Sequence, residues 1–138
     1  MRRVAFALLA CSACSGGATA GSAGFPAEPL TVLTSDGGKL HLELRTAPDQ
    51  PPTVGLDSVE LIVTEPTSGA AVDGLGIQMT PWMVNMGHGT STVPSVQAKG
   101  GGRYVITNVS LFMAGEWQLR MQFSGALMDT SEPTFDVQ

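Results

Sequence analysis

Residues 79 to 90 read Met-Thr-Pro-Trp-Met-Val-Asn-Met-Gly-His-Gly-Thr. Three methionines fall within eight residues, and a histidine follows at once. Met113 lies further on, in Leu-Phe-Met-Ala-Gly-Glu-Trp. Thioethers with one imidazole form a soft donor set, and soft sulfur selects Cu(I) where oxygen-rich sites select Mg, Ca or Mn. A thioether needs no deprotonation, so such a set also works where thiols would be oxidised. Gly87 and Gly89 flank His88 and let the backbone turn its ring. Trp82 is a candidate shield that could also offer its ring face to a cation. The candidate ligands are therefore Met83, Met86, His88 and Met113. The plainer reading stands beside it. Methionines fill cores, Met79 and Met83 could simply be packing, and Gly-His-Gly could be only a turn. Met121 reads as core and Met128 as a loop residue.

The elements that must hold this set read as strands. Leu40, Leu42 and Leu44 alternate with His41, Glu43 and Arg45, and Trp117, Leu119, Met121 and Phe123 alternate with Gln118, Arg120 and Gln122. A period of two marks strands with one buried face. Strands are expected near 30–35, 39–46, 56–64, 75–83, 90–98, 103–110, 116–123 and 133–137. Gly and Pro clusters separate them, and no window carries a helical stripe. The predicted fold is all-β, an immunoglobulin-like antiparallel sandwich of seven to eight short strands, with Trp117 as its core aromatic. If 75–83 runs up, the loop after it and the turn near 111–115 both fall at the top. Met113 then shares an end with Met83, Met86 and His88, while His41 lies near the other end.

Composition narrows the function. The chain has 138 residues, 14% charged and 43% hydrophobic, with 17 glycines and nine prolines. That suits one small β domain and leaves no room for a doubly wound α/β enzyme. The net charge is -5. The scattered cations Lys39, Arg45, Lys99, Arg103 and Arg120 do not form the clustered patch that nucleic acid requires, so no nucleic-acid partner is expected. No nucleophile elbow, phosphate loop or domain cysteine is present, and no enzyme is expected. Paired acids such as Asp57 and Glu60 read as keeping a strand edge soluble.

The N-terminus carries an address. Arg2 and Arg3 precede an apolar run from Val4 to Ala10, then Cys11-Ser-Ala-Cys14. This is the layout of an export signal, too short to span a bilayer. Leu8-Leu9-Ala10-Cys11 resembles a bacterial lipobox, with Cys11 as the lipidated residue, Cys14 as a second candidate, and a cut after Ala18-Thr19-Ala20 as the unlipidated alternative. The expected division is a signal over 1–14, a flexible tether over 15–29 and the sandwich over 30–138. Both cysteines fall in the leader, so the domain has no disulfide.

The combination Pro81-Trp82-Met83, Met86-Gly87-His88-Gly89, Pro94, Gly102-x-Tyr104, Val109, Phe112-Met113-x-Gly115-x-Trp117 and Leu119 resembles the YtkA-like and FixH-like family of small bacterial envelope proteins. The resemblance covers roughly 30 to 137. It implies an immunoglobulin-like sandwich outside the cytoplasm and an association with copper handling and oxidase assembly. The family often has proline between the loop methionines and before the second glycine, where Val84, Asn85 and Ala114 stand here. FixH proteins proper carry a membrane helix, which this chain lacks. The expected function is a lipid-anchored envelope module that binds or delivers Cu(I), with a cuproprotein or oxidase assembly partner. The alternative is a metal-free lipoprotein that docks another protein through the same loops.

Overall fold

The structure, a computed structural model, describes residues 24–138. The leader, Cys11, Cys14 and most of the expected tether lie outside them. Ten strands are present: β1 (Thr31–Thr34), β2 (His41–Ala47), β3 (Gly55–Thr64), β4 (Leu75–Met83), β5 (His88–Gly89), β6 (Ser95–Gly100), β7 (Arg103–Leu111), β8 (Gly115–Gly125), β9 (Asp129–Ser131) and β10 (Thr134–Val137). They form two antiparallel sheets, β1-β2-β3-β7-β6 and β10-β8-β4-β5, with β9 also on β8. The expected sandwich is therefore present. Among the described residues there is no helix, and none long and apolar enough to cross a membrane.

The period of two builds the core directly. Leu40, Leu42 and Leu44 meet Val59, Leu61 and Val63, then Tyr104 and Ile106, from one sheet. Met79, Met83, Trp117, Leu119, Met121 and Phe123 face them from the other. Complete burial of such side chains contributes roughly 1.5–3 kcal/mol each. Trp117 and Met121 take their expected core places, and Met128 lies in the exposed loop between β8 and β9.

One expected strand divides. The stretch 90–98 is not continuous. His88 and Gly89 pair with β4, residues 90–94 cross between the sheets, and pairing with β7 starts at Ser95. Pro94 has no N–H to give a ladder, which fits the break. The crossing gives the two ends of this stretch to different sheets.

Charges on β3 also differ from expectation. β3 is the central strand of its sheet, not an edge, and both Asp57 and Glu60 are buried. Glu60 Oε2 accepts from Arg103 Nε at 2.9 Å. Arg45, equally buried, donates to Glu43 at 3.1 Å and to the carbonyl of Ala27. Gln50 donates to the carbonyl of Glu28, so contacts with the domain begin before Leu30.

A clasp joins the sheets at the pole remote from the methionine loop. Asp129, on β9, accepts hydrogen bonds from the Ser35 hydroxyl and the N–H groups of Thr130, Gly37 and Lys39. Burial would raise this carboxyl, but the Ser35 hydroxyl and the three N–H groups outweigh it and hold the pKa down to about 2. A depressed carboxylate stabilises the fold above its unfolded value and loses that contribution as pH falls towards about 2. Asp129→Ala should therefore cost about 1 kcal/mol at pH 7, the site being solvent-screened. The gap to the parent protein should close in urea titrations repeated near pH 2.

Candidate functional site

Two chain reversals meet at the opposite pole. The first is the β4–β5 hairpin. Met83 pairs directly with His88, and Trp82 with Gly89. Gly87 N–H donates to the Met83 carbonyl at 3.0 Å and closes the loop. Gly87 has φ of 66°, a left-handed value that a side chain would resist. The second is the turn from β7 to β8, residues 112–114. Val84 N–H donates to the Glu116 carbonyl at 3.1 Å, which ties the hairpin to that turn.

Side chains of directly paired residues share a sheet face. Met83 pairs with His88 on one side and Trp117 on the other. Met83 and Trp117 are buried, so the row His88–Met83–Trp117 belongs to the inner face. The Met83 methyl reaches the backbone of Gly115, where a Cβ would lie only 2.8 Å from its Cε. Only a residue without Cβ admits this contact. The thioether of Met83 is thus part of the core and touches the turn that carries Met113.

Phe112 completes the arrangement. Its ring stacks on His88, with centroids 6.0 Å apart and planes 9° apart. It also meets Trp117 edge-on at 5.3 Å and 84°. Trp117 Nε1 donates to the Met113 carbonyl at 2.8 Å and fixes the turn from below. His88 Nδ1 lies 3.1 Å from the Gly89 carbonyl. A carbonyl only accepts, so this hydrogen bond is made by the tautomer with its proton on Nδ1, the one that leaves a lone pair on Nε2.

The four candidate ligands therefore share one pole, in different surroundings. Met83 is 4% exposed, whereas Met113 is 43% and Met86 55% exposed. Met83 and His88 are direct partners, and Met113 is bound through its carbonyl to the tryptophan beside Met83. Met86 stands at the hairpin tip. Among the described residues, no group of three or more His, Cys, Asp or Glu could hold a metal. The side-chain donors the sequence singled out at this pole are thioethers and one imidazole, a set that fits a soft monovalent cation better than a hard one. His41 lies at the far end of β2, paired with Thr64, and takes no part.

Trp82 does not act as the expected shield. Neighbours along a strand point to opposite faces, so an inward Met83 turns Trp82 outward. There its ring lies under the Arg120 guanidinium, 4.2 Å from CZ to ring centroid. The cation on its face is this arginine. Phe112 holds the place beside the imidazole instead. The sequence marked Phe112 only as part of the Phe-Met pair and assigned it no role.

One titrating group belongs to the same pole. Asp57 lies near the upper end of β3, opposite Val109, at a bulge where the strand register shifts. Its Oδ2 is buried without a hydrogen-bond partner. Burial and the nearby Asp49 charge push its carboxyl up to about 6.

A model of the YtkA-like family matches residues 37–122. No curated protein matches the chain in sequence. Several solved structures share the fold. A copper-bound variant of FetP from uropathogenic Escherichia coli is 8% identical, with a TM-score of 0.56, covering 80% of this chain and 96% of its own. The copper-reconstituted P19 protein of Campylobacter jejuni is 8% identical, with a TM-score of 0.54 and the same coverage. A DUF4426 family protein of Pseudomonas aeruginosa is 7% identical, with a TM-score of 0.54, covering 78% of this chain and 96% of its own. At such identities the likeness concerns the fold alone.

Proposed function

The chain belongs to the YtkA-like family, and on that premise we propose that it is a non-catalytic bacterial envelope module that binds Cu(I) at the pole described above. Met86, His88 and Met113 present their donors there, with the thioether of Met83 beneath. Two proteins of the same fold, the FetP variant and P19, have been obtained with copper, which supports the reading at the level of the fold. The observation that carries it lies in this chain. His88 has one ring nitrogen tied to a carbonyl and the other left with its lone pair, and it is paired across strands with Met83 while its ring stacks on Phe112, the residue that precedes Met113. Bound there, copper would give the protein a cargo to hold or pass on. The residues themselves bind, orient and shield. Lipidation at Cys11 would keep the domain at a membrane surface, and a cuproprotein or oxidase assembly factor is the proposed recipient.

The test is a titration of the purified protein with Cu(I) against a competing chelator. One equivalent should bind. The Met86→Ala, His88→Ala double variant should weaken binding by at least the roughly 10- to 100-fold that loss of a supporting residue costs metal sites. Met128→Ala, at the other pole, should change nothing. An unaltered affinity in the double variant would remove the site.

A second reading, a metal-free docking module, has one observation in its favour. Val54, Leu56, Val84, Met86, Phe112 and Met113, six of the large exposed apolar side chains, border the loops and strand ends of this same pole. Contiguous exposed apolar surface marks interaction sites. The two readings separate in a pull-down from membranes stripped of copper. Capture that persists there and is lost in Leu56→Asp would favour docking without metal.

A further inference from the structure

We propose that Phe112 is the positioning residue of this pole: its ring, braced by Trp117, sets the orientation of the His88 imidazole and so fixes the direction in which Nε2 offers its lone pair. The inference takes its functional consequence from the copper reading, while its geometry stands without it.

His88 is on a strand of two residues at the end of a sheet. It is exposed, and a ring there is free to turn about χ1 and χ2 unless something holds it. Two contacts do. One is the Nδ1 hydrogen bond to the Gly89 carbonyl, which is local and involves the very next residue. The other is the near-parallel stack on Phe112, which comes from 24 positions away and from the turn leading into the other strand pair. The first selects a tautomer. The second selects a plane. Together they leave one orientation.

Phe112 can do this only because it is braced. It is itself 41% exposed and sits in a turn, where a ring would ordinarily be mobile. Its edge-on contact with Trp117, which is fully buried, ties it to the rigid core. Trp117 in turn binds the Met113 carbonyl, so one indole fixes both the ring that orients the imidazole and the backbone that carries the neighbouring thioether. Phe112 also lines an open cleft of about 400 Å³ with Gly89, Thr90, Thr92 and Ser110. The ring thus stands between His88 and solvent on that side. Centroid separations of 4.5–7 Å are those at which aromatic pairs attract.

The experiment uses the whole protein and two readouts. In the metal-free state, proton and nitrogen NMR of the His88 ring reports the stack as an upfield ring-current shift and the tautomer as distinct Nδ1 and Nε2 frequencies. Phe112→Leu, which keeps an apolar side chain in a partly exposed turn, should abolish the ring-current shift, while the tautomer, selected by the Gly89 carbonyl, should stay. Phe112→Tyr should restore the shift. In the second arm, Cu(I) affinity in Phe112→Leu should fall roughly three- to tenfold, the range that loss of one aromatic pair produces, and Phe112→Tyr should recover it. His88 resonances that do not move in Phe112→Leu would overturn the positioning role whatever the metal result. If the parent protein binds no Cu(I) while the ring shifts behave as described, the copper reading fails and the positioning of His88 stands.

Discussion

Trp117→Ala should destabilise the domain by about 3–5 kcal/mol, the range for emptying a large aromatic site in a core. A domain of this size holds on the order of 5–15 kcal/mol in all. The variant should therefore sit near the edge of stability, with its urea midpoint sharply lowered and its m-value unchanged. The reasoning is local. Trp117 is wholly buried at the centre of its sheet, between Met83 on β4 and Phe135 on β10. Its removal leaves a cavity that two ladders of backbone hydrogen bonds prevent from collapsing. Trp117→Phe separates two contributions. Most packing remains, but the Met113 carbonyl loses its donor, at about 0.5–1.5 kcal/mol for one hydrogen bond of a half-buried group. In that variant the 112–114 turn should loosen before the sandwich does, visible as faster amide exchange at Met113 and Ala114 than elsewhere. Uniform acceleration across β8 would show instead that the indole N–H has no special hold on the turn.

The sandwich was legible because β2, β4 and β8 carry inward apolar residues at every second position. Leu75 to Met83 is expected and observed over the same residues, and β2, β3 and β7 differ from expectation by one or two residues at their ends. What alternation cannot report is which sheet a strand joins. The stretch 90–98 looks like one strand because Thr90, Thr92, Val96 and Ala98 carry the period. It is two, because Pro94 interrupts the ladder where the chain changes sheets. β9 has three residues, too few for any period to register. At the candidate site, counting strand directions put Met113 at the same pole as Met83 and His88, since the number of reversals between them fixes the pole, but it says nothing of how near their donors lie. Rotation about the strand was misjudged once. Met83 faces inward, so its neighbour Trp82 had to face outward, and the alternation used for the core applied to it equally. Phe112 was missed for a different reason. Its role rests on contacts with residues 24 positions before it and five after it, and no local pattern encodes both.

Asp57→Asn should stabilise the protein at pH 7.5 by about 1–2 kcal/mol, and the gain should vanish near pH 4. The sign follows from the proton count. The Asp57 carboxyl has an ordinary value of 3.8 and is pushed up to about 6 in the fold, first by burial and then by the Asp49 charge. Between these values the folded state binds a proton that the unfolded state has released. Stability therefore falls as pH rises from about 4 to about 6 and stays low above that. The full difference corresponds to about 3 kcal/mol. Asn recovers less than this, because its amide replaces an oxygen that already lacks a hydrogen-bond partner and inherits part of the same cost. Asp49→Asn should give a smaller gain, since it removes only the second of the two causes. Thermal unfolding of all three proteins from pH 4 to pH 8 measures this, with the Asp57→Asn curve flat where the parent declines. Parallel curves would mean that Asp57 keeps its ordinary titration. The direction is opposite to that of Asp129, whose carboxylate is held low and supports the fold at neutral pH. One sandwich thus carries a stabilising carboxylate at the pole of its clasp and a destabilising one at the pole of its methionines. Proteins tolerate such a cost most often beside functional sites, and Asp57 lies on the strand whose first residue, Gly55, pairs with Leu111 immediately before Phe112.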